Sequence, residues 1–557
     1  MDNKKLADIL FPEVTQAPEY YEEKYPYRKL SKKAQVTRMA PSPTGFIHLG
    51  NLYSALADER IAHRNGGVFY LRIEDTDAKR KVEGAVDTII NVLKYFDIEF
   101  DEGAGFDGEA GQGENGQNAY GPYFQRERAE IYHVYAKSLV EKGLAYPCFC
   151  EEEELDKVRQ QQDADKVLTG YYGKYAVCRG LSLEEIEANI QAGKPYVLRL
   201  RSQGQEGNEI TFTDSIRGEI TLPENIHDIV LLKRDGIPTY HFAHAVDDHL
   251  MRTTLVIRGG EWLASVPIHY ELFHLLGFKM PAYGHTAHLM KFDEETGGKR
   301  KLSKRKDPEL SLDYYRKDGY HPYCMKVYLM TLLNSNFEEW HDQFPDKDIQ
   351  EFPFSVDKMS QSGALFDKDK LHNICKNELS RLSEEEVYNF LYDWACEHEP
   401  EKKDVWFADE EKMMEILRLY MGVGMKRRRK DFMYARQVFE MIAYFFDLGE
   451  GEADEFRQDA DTIRTILQAY LDSYNHGDDN GQWFDKVKAI ADNNGFTSDM
   501  KAYKKAPEQY KGSVSDVAEV IRIAVTGRAN TPDLCSIVHI MGEEQMRQRI
   551  EGVLATL

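Results

Sequence analysis

Two short stretches concentrate the side chains able to handle a phosphate. The first is PSPTGFIHLGN (Pro41 to Asn51), which joins the apolar run VTRMA to HLGNLYSALADERIAHRN, a run closed by Gly66 and Gly67. A strand that hands over to a helix leaves the first N–H groups of that helix unpaired and aimed into the crevice, where they favour an anion. Gly50 lets a nucleotide approach with no side chain in the way, and His48 adds a donor for the phosphate. The second stretch is KLSKRKD (Lys301 to Asp307), in which two lysines three apart flank a serine just after Gly297 and Gly298. Ammonium groups set against charge developing on phosphoryl oxygens stabilise a transition state, and mobile glycines would let such a loop close over a triphosphate. Singly, the stretches read as a capping histidine and a solvated basic loop. Together in one chain they point to nucleotide chemistry.

The elements between them must bring the two together. VTRMA (Val36 to Ala40) predicts a short buried strand, the run after it a helix, VFYLRIED a second strand, and EGAVDTIINVLKYFDI a helix whose Val86, Ile89, Ile90, Leu93 and Phe96 form one apolar stripe. Strand, helix, strand, helix implies a parallel sheet, whose ligand crevice lies at the carboxyl ends of the strands. The pattern resumes with DIVLLKRDG, LVIRGGEW and SVPIHYELFHLLGF after a mixed segment holding the alternating strand YVLRLRS. The expected organisation is an extension over 1–34, a Rossmann-like parallel-sheet domain over 35–300 interrupted by an inserted α+β domain over 147–225, a basic loop and following region over 301–379, and an all-α domain over 380–557. The glycine-rich stretch from Gly103 to Gly121 reads as a mobile loop and is given no function.

A chain of 557 residues is long enough for two to four domains with separate cores. Its seven cysteines are odd in number and scattered, which argues for a reducing compartment rather than a disulfide framework. No secretory signal or membrane-spanning apolar run is evident, so a cytoplasmic protein is expected. A net charge of −24 opposes long-range steering of a polyanion. Yet Lys299–Asp307 and KRRRK (Lys426 to Lys430) are dense basic islands, and within a Debye length of roughly 8 Å such islands dominate the field a phosphate feels.

These motifs resemble the glutamyl-tRNA synthetases, class I aminoacyl-tRNA synthetases of bacterial type, whose two signatures correspond here to His48-Leu-Gly-Asn51 and Lys301-Leu-Ser-Lys-Arg305. RMAPSPTGFIHLGN, YLRIEDTD, DGIPTYHFAHAVDDHLM, VIRGGEWLASVPIHYELFHLLG, HLMK, KLSKRKD and SGALFDKDKLHNICKNEL follow one another in family order, densely to about Leu379. The resemblance implies ATP-dependent activation of L-glutamate and its transfer to the 3′ end of tRNA-Glu, with Mg2+ on the phosphates and a monomeric enzyme. It implies that the inserted domain binds the acceptor stem and the helical domain the anticodon. Arg38 and Arg258 are then the carboxylate binders. Glu74 and Ser42 hold the ammonium, and Ala40, Tyr240 and His244 line the amino-acid pocket. His48, Gly50, Glu261, Lys301, Leu302 and Lys304 serve ATP.

Asn51 stands where many class I enzymes carry a second histidine, and His244 where some relatives have asparagine. Cys148, Cys150 and Cys178, with Tyr175 near the expected fourth position, resemble a zinc knuckle of some relatives; three small buried thiols are the alternative. Lys426, Arg427, Arg428 and Arg429 are the candidate tRNA backbone contact. Three rivals share parts of the pattern. Glutaminyl-tRNA synthetases usually show a histidine-rich first motif unlike PSPTGFIHLGN, and a charging enzyme could also accept tRNA-Gln. The shorter relative that glutamylates a tRNA base lacks the helical domain. A catalytically idle RNA-binding protein would have lost His48, Lys301 or Lys304, all present.

Overall fold

In the computed structural model, residues 2–43, 47–77, 82–105, 119–293, 295–361, 363–446 and 453–557 are described. They divide into two units, Met1–Arg316 with Lys326–Asp367, and Lys317–Met325 with Lys368–Leu557. The first unit begins with two short helices, α1 (Asn3–Leu10) and α2 (Pro18–Lys24). Strand β1 (Val36–Met39) is buried along its whole length, as a strand covered on both faces must be. It pairs in parallel with β2 (Val68–Leu71), from Val36 opposite Val68 to Met39 opposite Leu71, and β3 (Glu102–Gly103) continues the sheet beyond β2. The crossovers are α3 (Leu49–His63) and α4 (Ala85–Tyr95). Gly67 ends the first crossover because any Cβ there would lie 1.9 Å from the Gln35 carbonyl oxygen. On α4, Ile89 and Leu93 are buried, and Phe96 just beyond them. Val92 is buried with them, whereas Val86 and Ile90 are only half-buried, so the stripe is rotated slightly from the expected one.

Helix α5 (Ala129–Glu141) leads into β4 (Ala145–Cys148), α6 (Glu152–Asp165), α7 (Leu183–Gln191), β5 (Val197–Leu200), the hairpin β6 (Glu209–Asp214) and β7 (Gly218–Pro223), and β8 (Val230–Leu232). The expected insertion divides here. Strands β4, β5 and β8 form their own antiparallel sheet, which therefore runs past residue 225. The β6–β7 hairpin instead joins the catalytic strands that follow. Helix α8 (Tyr240–Leu250), β9 (Leu255–Gly259), α9 (Val266–Leu276) and β10 (Ala282–Thr286) complete a second sheet in the order β7-β6-β10-β9. Thr254 ties this sheet to β1: its N–H donates to the Val36 carbonyl (2.9 Å) and its hydroxyl accepts from the Val36 N–H (2.8 Å). A last small sheet is built from β11 (Leu289–Asp293), β12 (Gly298–Lys301) and β13 (Ala364–Leu365).

The second unit is helical from Lys368–Leu379 to Glu543–Thr556, so it begins about one helix before residue 380 and also takes in 317–325. Its core is strongly aromatic: Trp406 stacks on Phe439 (4.8 Å) and Phe446 (4.7 Å), and the Tyr420 and Tyr444 hydroxyls are hydrogen-bonded at 2.8 Å. Among the described residues no helix is long and apolar enough to cross a membrane.

Beneath the parallel sheets lies a buried ionic cluster. Asp247 and Asp248, at the end of α8, are almost completely excluded from solvent. Asp247 accepts from Arg128 (2.7 Å), Gln125 (2.9 Å) and Tyr132 (2.7 Å). Asp248 accepts from Arg72 (2.6 Å) and faces Arg38 at 3.5 Å. Burial alone would raise the Asp248 carboxyl; Arg72 and Arg38 outweigh it and hold it below its ordinary value. Removing one partner from such a cluster leaves a buried charge uncompensated, which costs about 3–5 kcal/mol. Asp247→Ala is therefore expected to lower the unfolding free energy of the first unit by that amount, read as a lower urea midpoint at unchanged slope by far-UV circular dichroism. An unshifted midpoint would mean that water or relaxation compensates Arg128.

Candidate active site

The carboxyl ends of β1 and β9 open into a cavity of about 1260 Å3. Arg38, Ala40, Ser42, His48, Gly50, Glu74, Tyr240, Arg258, Glu261, Lys301 and Leu302 all line it, so two stretches far apart in sequence meet in one crevice. Thr44, Gly45 and Phe46 of the first motif lie outside the described residues. His48 caps α3. Its N–H donates to the Asn51 side-chain oxygen at 3.0 Å, so asparagine at this position secures the helix start. A Cβ on Gly50 would stand 3.0 Å from His48 Nδ1, which is why the position must stay bare if the imidazole is to keep its place. Burial, then Lys301 and Lys304, lowers the His48 pKa against an opposing effect of Glu261, so the ring is neutral and offers one donor.

The basic loop is tied at its base. Asp307, almost fully buried, accepts from both terminal nitrogens of Arg300 (2.6 and 2.7 Å) and from the Ser303 N–H (2.7 Å). Arg300 first of all holds the Asp307 carboxyl down to about 2. The segment carrying Lys301 and Lys304 is thus a closed ring rather than a free flap. Lys301 lines the cavity. Lys304 is exposed on the same ring and close enough to influence the His48 ring electrostatically.

At the other end, Arg72 donates to Glu74 at 3.2 Å, yet burial still raises the Glu74 carboxyl above its ordinary value. A cation brought beside it would pull that value back down. Tyr240 packs against Trp262, ring centroids 4.6 Å apart. Trp262, at 36% exposure, also lines the cavity. It was not singled out in the sequence, although it stands four residues after Arg258 in LVIRGGEW. His244 departs from expectation: it does not line the cavity but sits fully buried behind Tyr240 (ring centroids 5.8 Å), bonded to the Tyr283 hydroxyl (2.8 Å) and 3.0 Å from Asp248. One helical turn separates it from Tyr240, enough to turn it from the cavity wall to the layer beneath.

The three cysteines do meet. The Cys148, Cys150 and Cys178 sulfurs lie within 4.8 Å of one another. The fourth member is Tyr171, whose hydroxyl is 3.4 Å from Cys148, 3.3 Å from Cys150 and 3.0 Å from the Cys178 N–H. Tyr175 is not part of it, because its hydroxyl donates to Asp165 at 2.6 Å. Hydrogen bonds from Cys150 and then Cys178 lower the Cys148 thiol, while the shared proton pushes Cys150 and Cys178 up. In the helical unit Lys426, Arg427 and Arg428 are exposed, whereas Arg429 is half-buried and pairs with Asp431 at 2.7 Å. That makes it a structural member of the basic run.

Residues 35–373 match the catalytic domain of the class I tRNA synthetases for E and Q, and residues 386–554 an anticodon-binding domain. The full chain is 56% identical, over all of both sequences, to a glutamate–tRNA ligase of Acetivibrio thermocellus. The chain belongs to the glutamate–tRNA ligase family of class I synthetases. A family member of Clostridium perfringens is 46% identical over the full length of both chains. A crystal structure of a glutamate tRNA ligase from Elizabethkingia meningosepticum, in complex with its amino acid, covers 94% of this chain and all of its own with TM-score 0.72 at 27% identity. ATP is a substrate of this class of enzyme.

Proposed function

We propose that the cavity activates L-glutamate with ATP and transfers it to the 3′ end of tRNA-Glu. The glutamate α-carboxylate attacks the α-phosphorus, an O–P bond forms as pyrophosphate departs, and a terminal ribose hydroxyl of tRNA then displaces AMP from the carbonyl. No covalent enzyme intermediate is required, so the protein contributes position and charge. Arg38 and Arg258 take the carboxylates, since a guanidinium fork matches a carboxylate with two charge-assisted bonds. Glu74 and Ser42 take the ammonium, with Ala40 and Tyr240 as walls and His244 acting only through Tyr240. His48, Gly50, Glu261, Lys301, Leu302 and Lys304 surround the nucleotide, and Mg2+ screens its phosphates. The observation that carries this reading is Arg258, a buried cation in the cavity wall with no carboxylate partner among the described residues. Glutamate would neutralise it. Glutamate brings a carboxylate for each of Arg38 and Arg258 and glutamine only one, so glutamine would leave one of these buried guanidiniums without its carboxylate, which disfavours the glutaminyl alternative.

The cysteine cluster fits a tetrahedral zinc site, with Cys148, Cys150 and Cys178 as thiolates and Tyr171 as the oxygen ligand. Zinc there would supply cross-linking of the β4 end to the loop before α7 and no chemistry at the cavity. In the helical unit, Lys426, Arg427 and Arg428 are proposed to contact the tRNA backbone, and the cytoplasm is the proposed compartment.

Charging with labelled glutamate or glutamine on separate tRNA-Glu and tRNA-Gln transcripts tests the main reading. Glutamate should be charged, and Lys304→Ala should lower kcat by about two orders of magnitude, the loss of one strong transition-state contact. Absence of charging with either amino acid would sink the reading in favour of an idle RNA-binding protein, and the tRNA-Gln transcript decides discrimination. Elemental analysis of the purified protein should give about one zinc per chain, lost in Cys178→Ser; zinc-free protein of full thermal stability would refute the metal assignment. Replacing Lys426, Arg427 and Arg428 with alanine should weaken all tRNAs alike and reduce the slope of log affinity against log salt by about 2–3. An unchanged slope would place the backbone contact elsewhere.

A further inference from the structure

The arginines around the buried cluster differ in how they are held. Arg38, Arg72 and Arg128 each face Asp247 or Asp248. Arg258 is held by two imidazoles instead. Its Nε donates to His285 Nε2 at 3.0 Å, its Nη1 lies 3.2 Å from His269 Nδ1, and the Tyr283 ring centroid is 4.6 Å from its Cζ. Its Nη2 is buried and has no hydrogen-bond partner.

Each imidazole is held in turn. His285 Nδ1 is 2.6 Å from Asp214 Oδ2, and a carboxylate can only accept, so the Nδ1 proton points at Asp214 and Nε2 keeps its lone pair for Arg258. His269 Nδ1 likewise faces a donor, so its proton sits on Nε2, which is 3.0 Å from His241 Nδ1. Every proton in the series Asp214, His285, Arg258, His269, His241 has one direction that satisfies its neighbours. Burial first, and for each ring the Arg258 charge as well, lowers the pKa of His285, of His269 and of His241, the last to about 4, so all three rings are neutral acceptors. Burial alone would raise the Asp214 carboxyl. The His285 ring and the backbone N–H groups of Arg217 and Ile216 outweigh it and hold it below its ordinary value.

Asp214 closes β6 and reaches the site because that strand pairs with β10 through Tyr283. The hairpin that the sequence assigned to the inserted domain therefore supplies the anchor of the ligand-binding arginine.

We propose that Asp214, His285 and His269 are positioning residues for glutamate: they fix the Arg258 fork through neutral acceptors and so leave its positive charge unspent for the substrate carboxylate. A carboxylate in the place of His285 would hold the fork equally well but would cancel the charge that glutamate needs. The proposal rests on the reading of Arg258 as a carboxylate binder, and the experiment separates the two.

Asp214→Asn is the sharpest variant. The amide oxygen can still accept from the Ile216 and Arg217 N–H groups, but the NH2 takes the place of Oδ2, loses the 3.1 Å bond from the His285 backbone N–H and faces His285 Nδ1, driving the ring proton to Nε2, directly against the Arg258 Nε–H. Glutamate and ATP dependence of charging would be measured for Asp214→Asn, His285→Leu, His285→Gln, His269→Leu and Arg258→Lys, with thermal melting of each as a folding check. The loss of one hydrogen bond to a charged group predicts a rise of about tenfold or more in the KM for glutamate in Asp214→Asn, His285→Leu and His269→Leu, with kcat and the KM for ATP within about twofold. His285→Gln, which keeps an acceptor for Nε, should recover part of the loss. An unchanged KM for glutamate in the Asp214 and His285 variants, beside a large rise in Arg258→Lys, overturns the relay and spares the role of Arg258. An unchanged KM in Arg258→Lys overturns both. Equal losses toward glutamate and ATP, with no recovery in His285→Gln, would reduce these residues to a structural role and also overturn the proposal. Should Asp214→Asn not fold, the two His285 variants decide the matter alone.

Discussion

Everything at the amino-acid end of the cavity depends on two adjacent carboxylates that have no access to water. Burial by itself pushes the Asp248 carboxyl up, and Arg72 and Arg38 outweigh it. Arg72, Arg128 and Arg38 converge on the pair from three separate elements, a strand end, the turn before α5 and β1. The cluster thus locks the register of those elements to the end of α8. It also places Arg38 at the cavity wall with part of its charge already spent, whereas Arg258, on imidazoles, has spent none.

The N-terminal extension belongs to the same construction. Glu22 accepts from Arg252 at 2.8 Å and lies 2.7 Å from His249, while the Tyr25 carbonyl accepts from the Arg252 Nε at 2.8 Å. The Tyr25 ring lies 5.6 Å from the guanidinium of Arg128, the partner of Asp247. The extension therefore packs on the end of α8 and against the Arg128 guanidinium, and exclusion of water of this kind lowers the local dielectric and strengthens a carboxylate–guanidinium attraction.

What could be read in the sequence followed from how directly each feature is written there. Strand and helix periods placed β1, α3, β5 and α9 within a residue or two, and the starts of β2 and β9, whose expected ends ran three or four residues too far; the phosphate-handling residues carry motifs of fixed spacing. His244 lies behind the cavity wall rather than in it, because the side-chain direction on a helix depends on where the helix starts, and one turn separates a wall residue from the layer beneath. Tyr171 rather than Tyr175 lies beside the three cysteines, because which side chain a loop brings to a cluster is set by its backbone turns rather than by the count of residues. The relay behind Arg258 was invisible for a deeper reason: Asp214, Arg258, His269 and His285 come from four elements, and the pairing of β10 with β9 on one side and β6 on the other, with α9 packed against them, makes them neighbours. The glycine-rich stretch, almost all of it outside the described residues, adds nothing to this comparison.

The acidity of the chain, −24 overall, can be reconciled with polyanionic ligands through range. Screening confines each surface carboxylate to roughly 8 Å, so the summed charge slows approach at low salt more than it weakens contact. Contact is governed by local groups: the start of α3, the ring closed by Asp307 that carries Lys301, and the Arg258 fork. Two of these are cationic, and Asp307 beside the lysine loop is consumed by Arg300. The cavity wall mixes both signs, with Glu74, Glu261, Asp77 and Asp235 beside Arg38, Arg234, Arg258 and Lys301, so a chain that repels nucleic acid at a distance can still meet a phosphate with local cations, because pairing decides which of its charges a ligand meets.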